Sequence, residues 1–533
     1  MSFNNEGLIE NLKDWEIQLI FENDLIEIKI DCVNDELKRE ENKIFWNNCG
    51  EYQEILEMHY KEVTLRTNDS CICPIYTIQK GNVFCLSSSP TRLLKTYSNI
   101  KIDIYSLCQN LAGVLNRESF FQGINKLEPA AIYKINKEGI QRVQSLLETD
   151  QEYSVENVIE MLITSWDKYA STGCDIAIMM SAGFDSRLNF AIATRLKKIY
   201  GCNIFFYHEY LKHKEAEIVK GIAEEYAIPL EIYDRNKFKE SNQDLFNNSE
   251  FLNLTMGFYG RALPRYVPYL IYVRNKHPNG IIMGMASEAH KGRWYKSIGE
   301  KNFLNDIRET FGIRNSKIQS IGQTLELNIN FRERQNNYYQ TLIKNSKAFK
   351  NFSSKIDFIH YQTQATQYGD RCNLFQKLFK IPFPVLERNF VSAVLTLQKK
   401  DKENFNLITK SIDKINPRLN AIKFVSANFK SLEKRERNSL NYIFDNLLYK
   451  TNTSNYYYCR SRILRKGKSD LSFASKEYIE SLETKSSLAK KLKEVALNID
   501  NKDISPFIRI DFLQQAIIYL NFIENDLNIR ISS

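Results

Sequence analysis

The chain has 533 residues, which is too long for one compact core, so we expect two or more domains. Hydrophobic residues make up 43% and charged residues 26%, an ordinary balance for a soluble globular protein, and no apolar run is long enough to cross a membrane. The formal net charge of +9 is a modest excess over this length, so it does not favour nucleic acid as a partner.

The start of the sequence lacks the basic stretch and the apolar core of a secretory signal. The ten cysteines are scattered without a paired framework, and we therefore expect reduced thiols in a cytoplasmic protein. Cys71 and Cys73 could form a metal or redox pair. No second pair and no nearby histidine accompanies them, so an ordinary role is preferred.

The region before residue 150 predicts a mixed α/β unit. Residues 15–21 and 25–30 are rich in strand formers, and the three polar residues between them predict a β-hairpin. Residues 83–86 predict another short strand. A further strand is predicted at 131–135, followed by a turn at 137–139.

The stretch that organises the chain is an apolar run followed by small residues and a helical pattern. Residues 176–180 are apolar and rich in strand formers, as expected of a strand buried on both faces of a parallel sheet. Ser181, Ala182 and Gly183 permit a sharp turn, and apolar residues then recur at helical spacing from Leu188 onward. The pattern predicts a strand, a tight turn and a helix.

Such a turn directs backbone amides and the positive end of the helix dipole to one place, which favours an anion. The hydroxyl groups of Ser181 and Ser186 add donors that suit phosphate oxygens. Asp185 would repel a bare phosphate, but it suits one that magnesium bridges to the carboxylate. The Walker pattern is absent, because no Gly-Lys-Ser/Thr follows at the required spacing. The alternative is an ordinary strand-to-helix turn.

The segment Ser181-Ala182-Gly183-Phe184-Asp185-Ser186 resembles the pyrophosphate loop Ser-Gly-Gly-x-Asp-Ser. That loop belongs to the ATP-pyrophosphatase family that includes asparagine synthetase. The resemblance implies that these six residues bind the phosphates of ATP. It also implies that ATP is cut between its α and β phosphates and that a carboxylate is activated as an acyl-adenylate. Ala182 stands where the family pattern has glycine, which is a mild departure.

A second, shorter match precedes the loop. Residues 120–130 resemble the Phe-x-Gly-Ile-x-x-Leu-x-Pro-Gly run that ends the glutaminase domain of asparagine synthetases. The family's glutaminase uses a cysteine exposed as the N-terminal residue, where this chain has Ser2. Serine can act as an N-terminal nucleophile, but residues 2–7 lack the apolar strand that would bury such a terminus. We therefore expect a degenerate, structural domain that makes no ammonia, with the amine supplied from elsewhere.

Residues 203–208 predict a second parallel strand, whose carboxyl end should lie beside the loop strand, where open parallel sheets hold ligands. The resemblance implies a contact with adenine there, which we carry over to Phe206 and Tyr207. His208 is interpreted as a structural histidine, because no base or nucleophile is spaced near it. Glu215, at the start of the next predicted helix, is interpreted as an ordinary partner of the helix dipole.

Residues 280–292 predict another strand that ends at a glycine turn. They resemble the family's second phosphate motif, Ser-Gly-x-Gly-x-Asp-Glu, with Gly284 at the turn and Glu288 at the first acid, while Ala289 replaces the second acid. The resemblance implies that Asp185 and Glu288 together hold magnesium. The alternative is a strand and a loop with one solvent-facing glutamate.

Residues 370–391 predict a helix that breaks at a proline-rich loop and resumes at Asn389. They resemble the family's Asp-Arg-x-x-Met and Arg-x-Pro-Phe-Leu-Asp-x-x-Phe-Val segments, except that Lys380 stands where a glutamate is typical. Lys380, Arg371 and Lys423 are candidate catalytic cations, since the transition state carries negative charge. A solvated Lys380 is the simpler interpretation.

These patterns predict an α/β fold with three regions. Residues 1–150 would form a degenerate glutaminase-like domain of the Ntn type, and residues 151–430 a doubly wound parallel-sheet ATP-pyrophosphatase domain. Residues 431–533 would form a helical, polar and partly basic extension. Its tyrosine-rich basic interval at 456–468 could hold a peptide leader or nucleic acid, but a solvated loop is preferred.

The expected function is a ligase that uses ATP and Mg²⁺ to adenylate a carboxylate and then joins it to an amine. An amino-acid or peptide product is expected, since relatives without glutaminase close β-lactam or macrolactam rings. A first alternative is a catalytically reduced nucleotide-binding scaffold that acts through protein partners. A second is nucleic-acid modification, which the amidotransferase-like first domain does not favour. The expected partners are a carboxylate substrate, an amine and a peptide or protein; a homodimer is left open and no membrane association is expected.

Overall fold

The computed structural model of the chain describes a defined set of residues. These are residues 15–22, 25–32, 37–48, 51–67, 74–94, 99–111, 119–149, 151–209, 213–233, 263–284, 292, 294–295, 297–311, 315–327, 331–379, 381–422, 476–499, 504, 508 and 510–532. Cys71, Cys73, Ser2 and the interval 456–468 lie outside them. Within them the chain is a mixed α/β protein with several sheets.

The first part of the chain is built mainly from antiparallel strands. The strands are β1 (Trp15–Glu22), β2 (Leu25–Cys32), β3 (Leu37–Glu40), β4 (Lys43–Asn48), β5 (Glu51–Met58), β6 (Val63–Arg66), β7 (Tyr76–Lys80), β8 (Val83–Ser87), β9 (Asn99–Lys101), β10 (Asn125–Lys126), β11 (Ala131–Asn136) and β12 (Gly139–Ser145). The helices among them are α1 (Pro90–Leu94) and α2 (Ile104–Leu111). One sheet has the order β10-β7-β8-β1-β2 and the other the order β12-β11-β6-β5-β4-β3.

The predicted hairpin is confirmed, because β1 and β2 pair antiparallel from Trp15 opposite Cys32 to Glu22 opposite Leu25. The strands predicted at 83–86 and 131–135 are confirmed as β8 and β11, and a turn follows β11. Ile17 on β1 and Leu65 on β6 belong to one hydrophobic core, although they lie in different sheets. Since side chains alternate along a strand, each sheet buries one face in this core.

The carboxyl-terminal part of the chain returns to this core. It contains α15 (Lys476–Ser481), α16 (Ser487–Leu497), α17 (Ile510–Asn525) and β17 (Arg530–Ser532). Residues 513–520 of α17 are all buried, and Ile531 of β17 pairs with Ile100 of β9 in a parallel ladder. The described elements of this region are mostly helical, as predicted, but α17 is buried rather than polar. This burial was not predicted, although a helix that is apolar on most of its surface is typically buried.

A parallel sheet follows in the middle of the chain. Its strands are β13 (Asp175–Met179), β14 (Asn203–Glu209), β15 (Leu230–Tyr233) and β16 (Ile281–Met283), in the order β15-β14-β13-β16. The helices that precede or connect them are α3 (Val155–Ser165), α4 (Phe184–Tyr200), α5 (His213–Glu225) and α6 (Leu263–Lys276). All three strand pairings are parallel, as the sequence predicted for β13, β14 and β16.

Helices cover both faces of this sheet. Ile176 and Ile178 share a core with Leu188 of α4, whereas Ala177 shares a core with Val273 of α6. Neighbouring residues of β13 thus point to opposite layers, and all three are fully buried. This explains why the strand is continuously apolar rather than alternating.

The remaining described elements are helical. They are α7 (Phe303–Phe311), α8 (Asn315–Thr324), α9 (Phe331–Asn345), α10 (Phe352–Phe379), α11 (Arg388–Thr396), α12 (Lys399–Lys402), α13 (Asn406–Ile415) and α14 (Arg418–Ala421). Residues of α7, α9, α10 and α11 form a third hydrophobic core, whereas α8 joins the first core and α13 and α14 join the core on the α4 side of the parallel sheet. The helix predicted to break before a proline-rich loop is α10, and α11 resumes one residue earlier than predicted. Within the described ranges, no helix has the length and apolar character needed to cross a membrane.

Candidate functional site

The strand order of the parallel sheet creates a switch point between β13 and β16. From β13 the chain proceeds to β14 and β15 on one side, and then returns to add β16 on the other side. The connection that leaves the carboxyl end of β13 leads to β14, away from β16, so the path of the chain diverges between β13 and β16. Open α/β sheets bind ligands in the crevice that this divergence forms.

The two segments that resemble phosphate motifs both begin at this switch point. Ile178 of β13 is paired with Met283 of β16, so the next residues, Met179 and Gly284, also lie side by side. A Cβ atom on Gly284 would lie only 2.8 Å from the Cγ atom of Met179. The close approach of the two strand ends therefore requires a residue without a side chain at position 284.

The turn after β13 is held by its own hydrogen bonds. Gly183 is the N-cap of α4 and has extended backbone angles. The Oγ atoms of Ser181 and Ser186 are 2.9 Å apart, and the Gly183 amide donates to the Ser181 Oγ at 3.3 Å. The Ser186 hydroxyl also donates to the Ser181 carbonyl at 2.7 Å. The Ser181 and Ser186 hydroxyls and the Gly183 amide are therefore hydrogen-bonded within the loop, in a closed ring of bonds.

One further loop amide is bonded to a carboxylate from the neighbouring helix. The Ala182 amide donates to the Oε1 atom of Glu215 on α5 at 3.2 Å. The side chain of Ala182 is fully buried, so its methyl group lies in the interior and not on the loop surface. The departure from glycine at this position thus leaves the loop surface unobstructed.

Asp185 and Phe184 occupy the first turn of α4. Asp185 is half-buried at the amino end of the helix, where the helix dipole stabilises a negative charge. Phe184 stacks on Phe405, with ring centroids 4.6 Å apart and an angle of 12° between the planes. Phe184 therefore packs the start of α4 against the chain that leads into α13.

The second motif is anchored at its far end. Glu288 lies outside the described residues, but Gly292 follows it with φ +55, and a Cβ there would lie 2.6 Å from the backbone of Lys402. The Lys402 side chain is fully buried, and its Nζ atom is 2.6 Å from the Oδ2 atom of Asp357 on α10. The segment between Gly284 and Gly292 thus begins and ends at fixed points.

Phe206 and Tyr207, the residues carried over for adenine, are both buried. Phe206 is fully buried and packs edge-on against Phe190 of α4. The Tyr207 hydroxyl and the Nε2 atom of His277 are 2.8 Å apart, and the His277 Nδ1 atom is 2.8 Å from the Oδ2 atom of Asp175. If Nδ1 donates to the carboxylate, Nε2 accepts from the tyrosine hydroxyl. Burial raises the pKa of Tyr207 to about 12.

The backbone groups of these two residues are also engaged in the sheet. The Phe206 amide donates to the Pro229 carbonyl at 2.8 Å, and the Tyr207 carbonyl accepts from the Met180 amide at 2.8 Å. His208 next to them places its Nδ1 atom 3.0 Å from the Met180 carbonyl, a bond that fixes the chain where the loop begins. Its Nε2 atom is buried and has no hydrogen-bond partner among the residues described.

The side chains of the three candidate cations lie outside the described part of the structure. Arg371 lies within α10, and Lys380 and Lys423 lie outside the described residues. The residue before Lys380 is Phe379, whose carbonyl accepts from the Arg274 guanidinium. That guanidinium also binds the Gly280 carbonyl at 2.8 Å, before the first residue of β16. Phe379 is thus fixed near the amino end of β16, the end away from the loop.

Ile422, the residue before Lys423, is anchored next to the loop helix instead. Arg187 on α4 is fully buried and donates to the carbonyl oxygens of Leu419, at 3.1 Å, and of Ile422. Burial lowers the pKa of Arg187 to about 10. Since Arg187 directly follows Ser186 of the loop, this anchor holds the chain before Lys423 beside the first turns of α4.

The loop offers the oxygen donors that magnesium prefers. Asp185 lies in the first turn of α4, and the Glu215 carboxylate accepts a hydrogen bond from the Ala182 amide of the same loop. Carboxylate oxygens with phosphate and water are the usual ligands of magnesium. No group of three or more His, Cys, Asp or Glu side chains that could hold a metal occurs within the described part of the chain. The donor type fits magnesium, and Asp185 is the carboxylate that this loop itself would contribute.

Two residues at the sheet were missed or undervalued by sequence reasoning. Glu215 is more than a dipole partner, because its carboxylate reaches the loop amide. A signal existed: it is the acid nearest the amino end of the helix that follows the second parallel strand, and such ends meet at one edge. His277, which joins Tyr207 to Asp175, left no signal, because its partners lie 70 and 102 positions away.

The sequence was compared with protein-family models and with curated proteins. No family model matches the sequence, and no curated protein matches it.

Proposed function

We propose that the protein is an ATP- and magnesium-dependent ligase that adenylates a carboxylate and transfers the acyl group to an amine. The observation that supports it most is the contact of Met179 with Gly284 at the switch point. Two segments that resemble phosphate motifs follow neighbouring strands at the same edge of a parallel sheet. This is the edge at which such sheets bind nucleotides.

The finer fold is part of the same proposal. We assign the parallel sheet with helices on both faces to the ATP-pyrophosphatase fold. The two antiparallel sheets before residue 150 are assigned to a degenerate Ntn-type glutaminase domain. The support is their order along the chain and the shared core of the two sheets. The proposal assigns no glutaminase activity to this domain.

The proposed reaction has two displacement steps. A carboxylate oxygen of the substrate attacks the α-phosphorus of ATP, and the bond to the bridging oxygen breaks to release pyrophosphate. The nitrogen of an amine then attacks the acyl carbon, loses a proton and releases AMP. Ser181, Gly183 and Ser186 provide hydroxyl and amide donors for the pyrophosphate, and the dipole of α4 adds to their effect.

Magnesium, when bound, neutralises charge on the phosphates. Asp185, in the loop after β13, would hold it, and Glu288, which follows β16 in the sequence, is the proposed second ligand. Of the three candidate cations we favour Lys423 for the developing negative charge, because Arg187 anchors the preceding residue at the loop helix. Phe379 is anchored near the amino end of β16, about 10 Å from the carboxyl end of that strand. This position argues against Lys380 as the catalytic cation.

An anion can enter the loop only if internal hydrogen bonds are exchanged. The Ser181 and Ser186 hydroxyls must turn from each other, and the Ala182 amide must leave the Glu215 carboxylate. Each exchange replaces one hydrogen bond by another, so its net cost is about 1 kcal/mol or less. A charged phosphate acceptor strengthens the new bonds, because charge-assisted hydrogen bonds are the stronger kind.

The closed ring of bonds favours one alternative, a nucleotide-binding scaffold with reduced catalysis. If the hydrogen bonds among Ser181, Gly183 and Ser186 stay in place and no anion replaces them, the loop is a structural turn. The chain would then act through protein partners. The alternative also accounts for Ala289 and Lys380, which depart from the family pattern. The two functions differ in whether a substrate releases pyrophosphate.

Pyrophosphate release tests the proposal directly. The wild-type chain is incubated with ATP and magnesium over a panel of amino acids, peptides and other carboxylates. The variant Asp185→Asn is run beside Glu156→Gln, which alters an exposed acid in the first turn of α3. Release that depends on one carboxylate, survives in Glu156→Gln and falls about 100-fold in Asp185→Asn supports the ligase. Tight ATP binding without release over the panel supports the scaffold.

A further inference from the structure

Two thiol groups face each other at the amino edge of the parallel sheet. Cys174 directly precedes β13 and Cys202 directly precedes β14. Their Sγ atoms are 3.1 Å apart, and no disulfide joins them. The pair lies at the edge opposite to the loop after β13, so it belongs to neither of the phosphate motifs.

The backbone holds the two cysteines in a fixed relation. The Asn203 amide donates to the Cys174 carbonyl at 3.0 Å, and the Gly173 amide donates to the Tyr200 carbonyl at 2.8 Å. The next residues, Asp175 and Asn203, are register partners in adjacent parallel strands. Adjacent strands are about 4.8 Å apart, within the range of Cα separations that a disulfide bridges. A covalent bond therefore requires only rotation of the side chains and a small approach of the two sulfur atoms.

We propose that Cys174 and Cys202 form an oxidative modification site, a dithiol that reacts with a small-molecule disulfide such as glutathione disulfide and closes to an intramolecular disulfide. The proposal is independent of the proposed ligase, because it concerns the opposite edge of the sheet.

The exposure of the two thiols sets the order of the steps. Cys174 is partly exposed and Cys202 is 1% exposed, so the small disulfide meets Cys174 first. The Cys174 thiolate attacks one sulfur of the reagent, whose S–S bond breaks to release one glutathione thiol. Burial raises the pKa of Cys202 to about 12, which keeps this thiol protonated until the mixed disulfide stands beside it.

In the second step the Cys202 sulfur, after losing its proton, attacks the Cys174 sulfur. The bond to glutathione breaks, and the second glutathione leaves as a thiol. The two protein thiols together lose two electrons and two protons, which the reagent takes up as it becomes two thiols. No other oxidant is needed.

The product would join β13 to β14 covalently at their amino ends. A disulfide here closes a loop that contains all of α4, so it restricts the unfolded chain and stabilises the sheet. The carboxyl ends of the strands keep their geometry, because the new bond forms at the other edge.

The test uses the full-length chain, oxidised with glutathione disulfide and digested without reduction. The expected result is a linked peptide pair that contains Cys174 and Cys202 and disappears on reduction. The apparent midpoint of thermal unfolding should rise by about 5 °C on oxidation and return on reduction. Cys85, Cys108 and Cys372 are buried and serve as internal controls that remain unmodified.

Two single variants test the order of the steps. Cys202→Ala should accumulate glutathione on Cys174, because the second thiol is missing. Cys174→Ala should leave Cys202 unmodified, since that thiol is buried. Both variants remove one sulfur atom from one end of a strand, and circular dichroism of the reduced proteins checks their folding. A linked pair with another cysteine, or full oxidation without any Cys174–Cys202 link, would overturn the proposal.

Discussion

The carboxylate of Glu215 accepts a hydrogen bond from the backbone amide of Ala182, with 3.2 Å between the Oε1 atom and the nitrogen. The acceptor comes from α5 and the donor from the turn after β13, so the bond links two connections at one edge of the sheet. A phosphate oxygen bound by the loop would use the same amide. Glu215 is therefore a competitor for the anion that the loop is proposed to bind.

The first prediction concerns this competition. Glu215→Gln removes a negative charge from the anion site and keeps an oxygen acceptor. We expect pyrophosphate, measured by calorimetry without a divalent metal, to bind about fivefold more tightly, as one unit charge near 4 Å in water implies about 1 kcal/mol. Glu217→Gln, an exposed residue on the same helix, should leave binding unchanged. Equal affinity in wild type and Glu215→Gln would show that the carboxylate does not oppose the anion.

The second prediction concerns the contact between the two strand ends. Gly284→Ala places a Cβ atom 2.8 Å from Met179 Cγ, so the two turns must move apart. We expect the free energy of unfolding to fall by about 1 to 2 kcal/mol and ATP binding to weaken.

Gly221→Ala is the control for that substitution. Gly221 lies inside α5, and a Cβ there would meet nothing within 4 Å. In this position alanine should stabilise the protein by about 0.5 to 1 kcal/mol, since glycine costs conformational entropy in a helix. If Gly284→Ala behaved like Gly221→Ala in urea unfolding and in ATP binding, the close approach would carry no function.

The third prediction concerns the buried guanidinium behind the loop. Arg187→Met should reduce the free energy of unfolding by about 3 kcal/mol, because the carbonyl groups of Leu419 and Ile422 lose their donor. Lys198→Met, at an exposed position of the same helix, should change it by less than about 0.5 kcal/mol. Hydrogen exchange should also report faster opening near residues 418–422 in Arg187→Met. A loss of stability without faster exchange there would contradict the anchoring role.

The fourth prediction concerns pH. Burial raises the pKa of Tyr207 from about 10 in the unfolded chain to about 12 in the folded chain. The folded state therefore holds its proton more tightly, so the stabilisation is complete below about pH 10 and is lost as the pH rises toward 12. Between about pH 9 and about pH 11, wild type should lose about 1 kcal/mol more stability than Tyr207→Phe.

Tyr60→Phe is the control for the pH series, since Tyr60 is 76% exposed. It should follow wild type across the range. If Tyr207→Phe lost as much stability as wild type between the two pH values, the Tyr207 hydroxyl would not be held protonated by burial in the folded state.

Much of the local structure was predictable because it depends on short-range patterns. The hairpin of β1 and β2 follows from two runs of strand formers, and the strand, turn and helix at 175–200 follow from apolar spacing and small residues. The parallel pairing of β13 with β14 and β16 also agreed with the sequence. The strand β15 and the strand order, with β16 added on the far side of β13, were not predicted and needed the structure.

The contacts that bear on the site were not predictable, because they join distant positions. Glu215 reaches a loop 33 positions away, and Arg187 reaches a carbonyl 235 positions away. The resemblance nominated Phe206 and Tyr207 for adenine, whereas both side chains are packed in the interior. An apolar strand such as β14 has the same sequence pattern whether its side chains contact a ligand or pack against a helix. The pattern alone therefore could not distinguish adenine-binding side chains from core side chains.

The central claim is that the loop after β13 binds the phosphates of ATP through magnesium and Asp185. The most direct measurement is calorimetric titration of ATP with magnesium into wild type, Asp185→Asn and Glu156→Gln. We predict binding by wild type and Glu156→Gln, and an affinity at least about tenfold lower in Asp185→Asn. Absence of ATP binding in wild type, or equal binding by all three proteins, would contradict the claim.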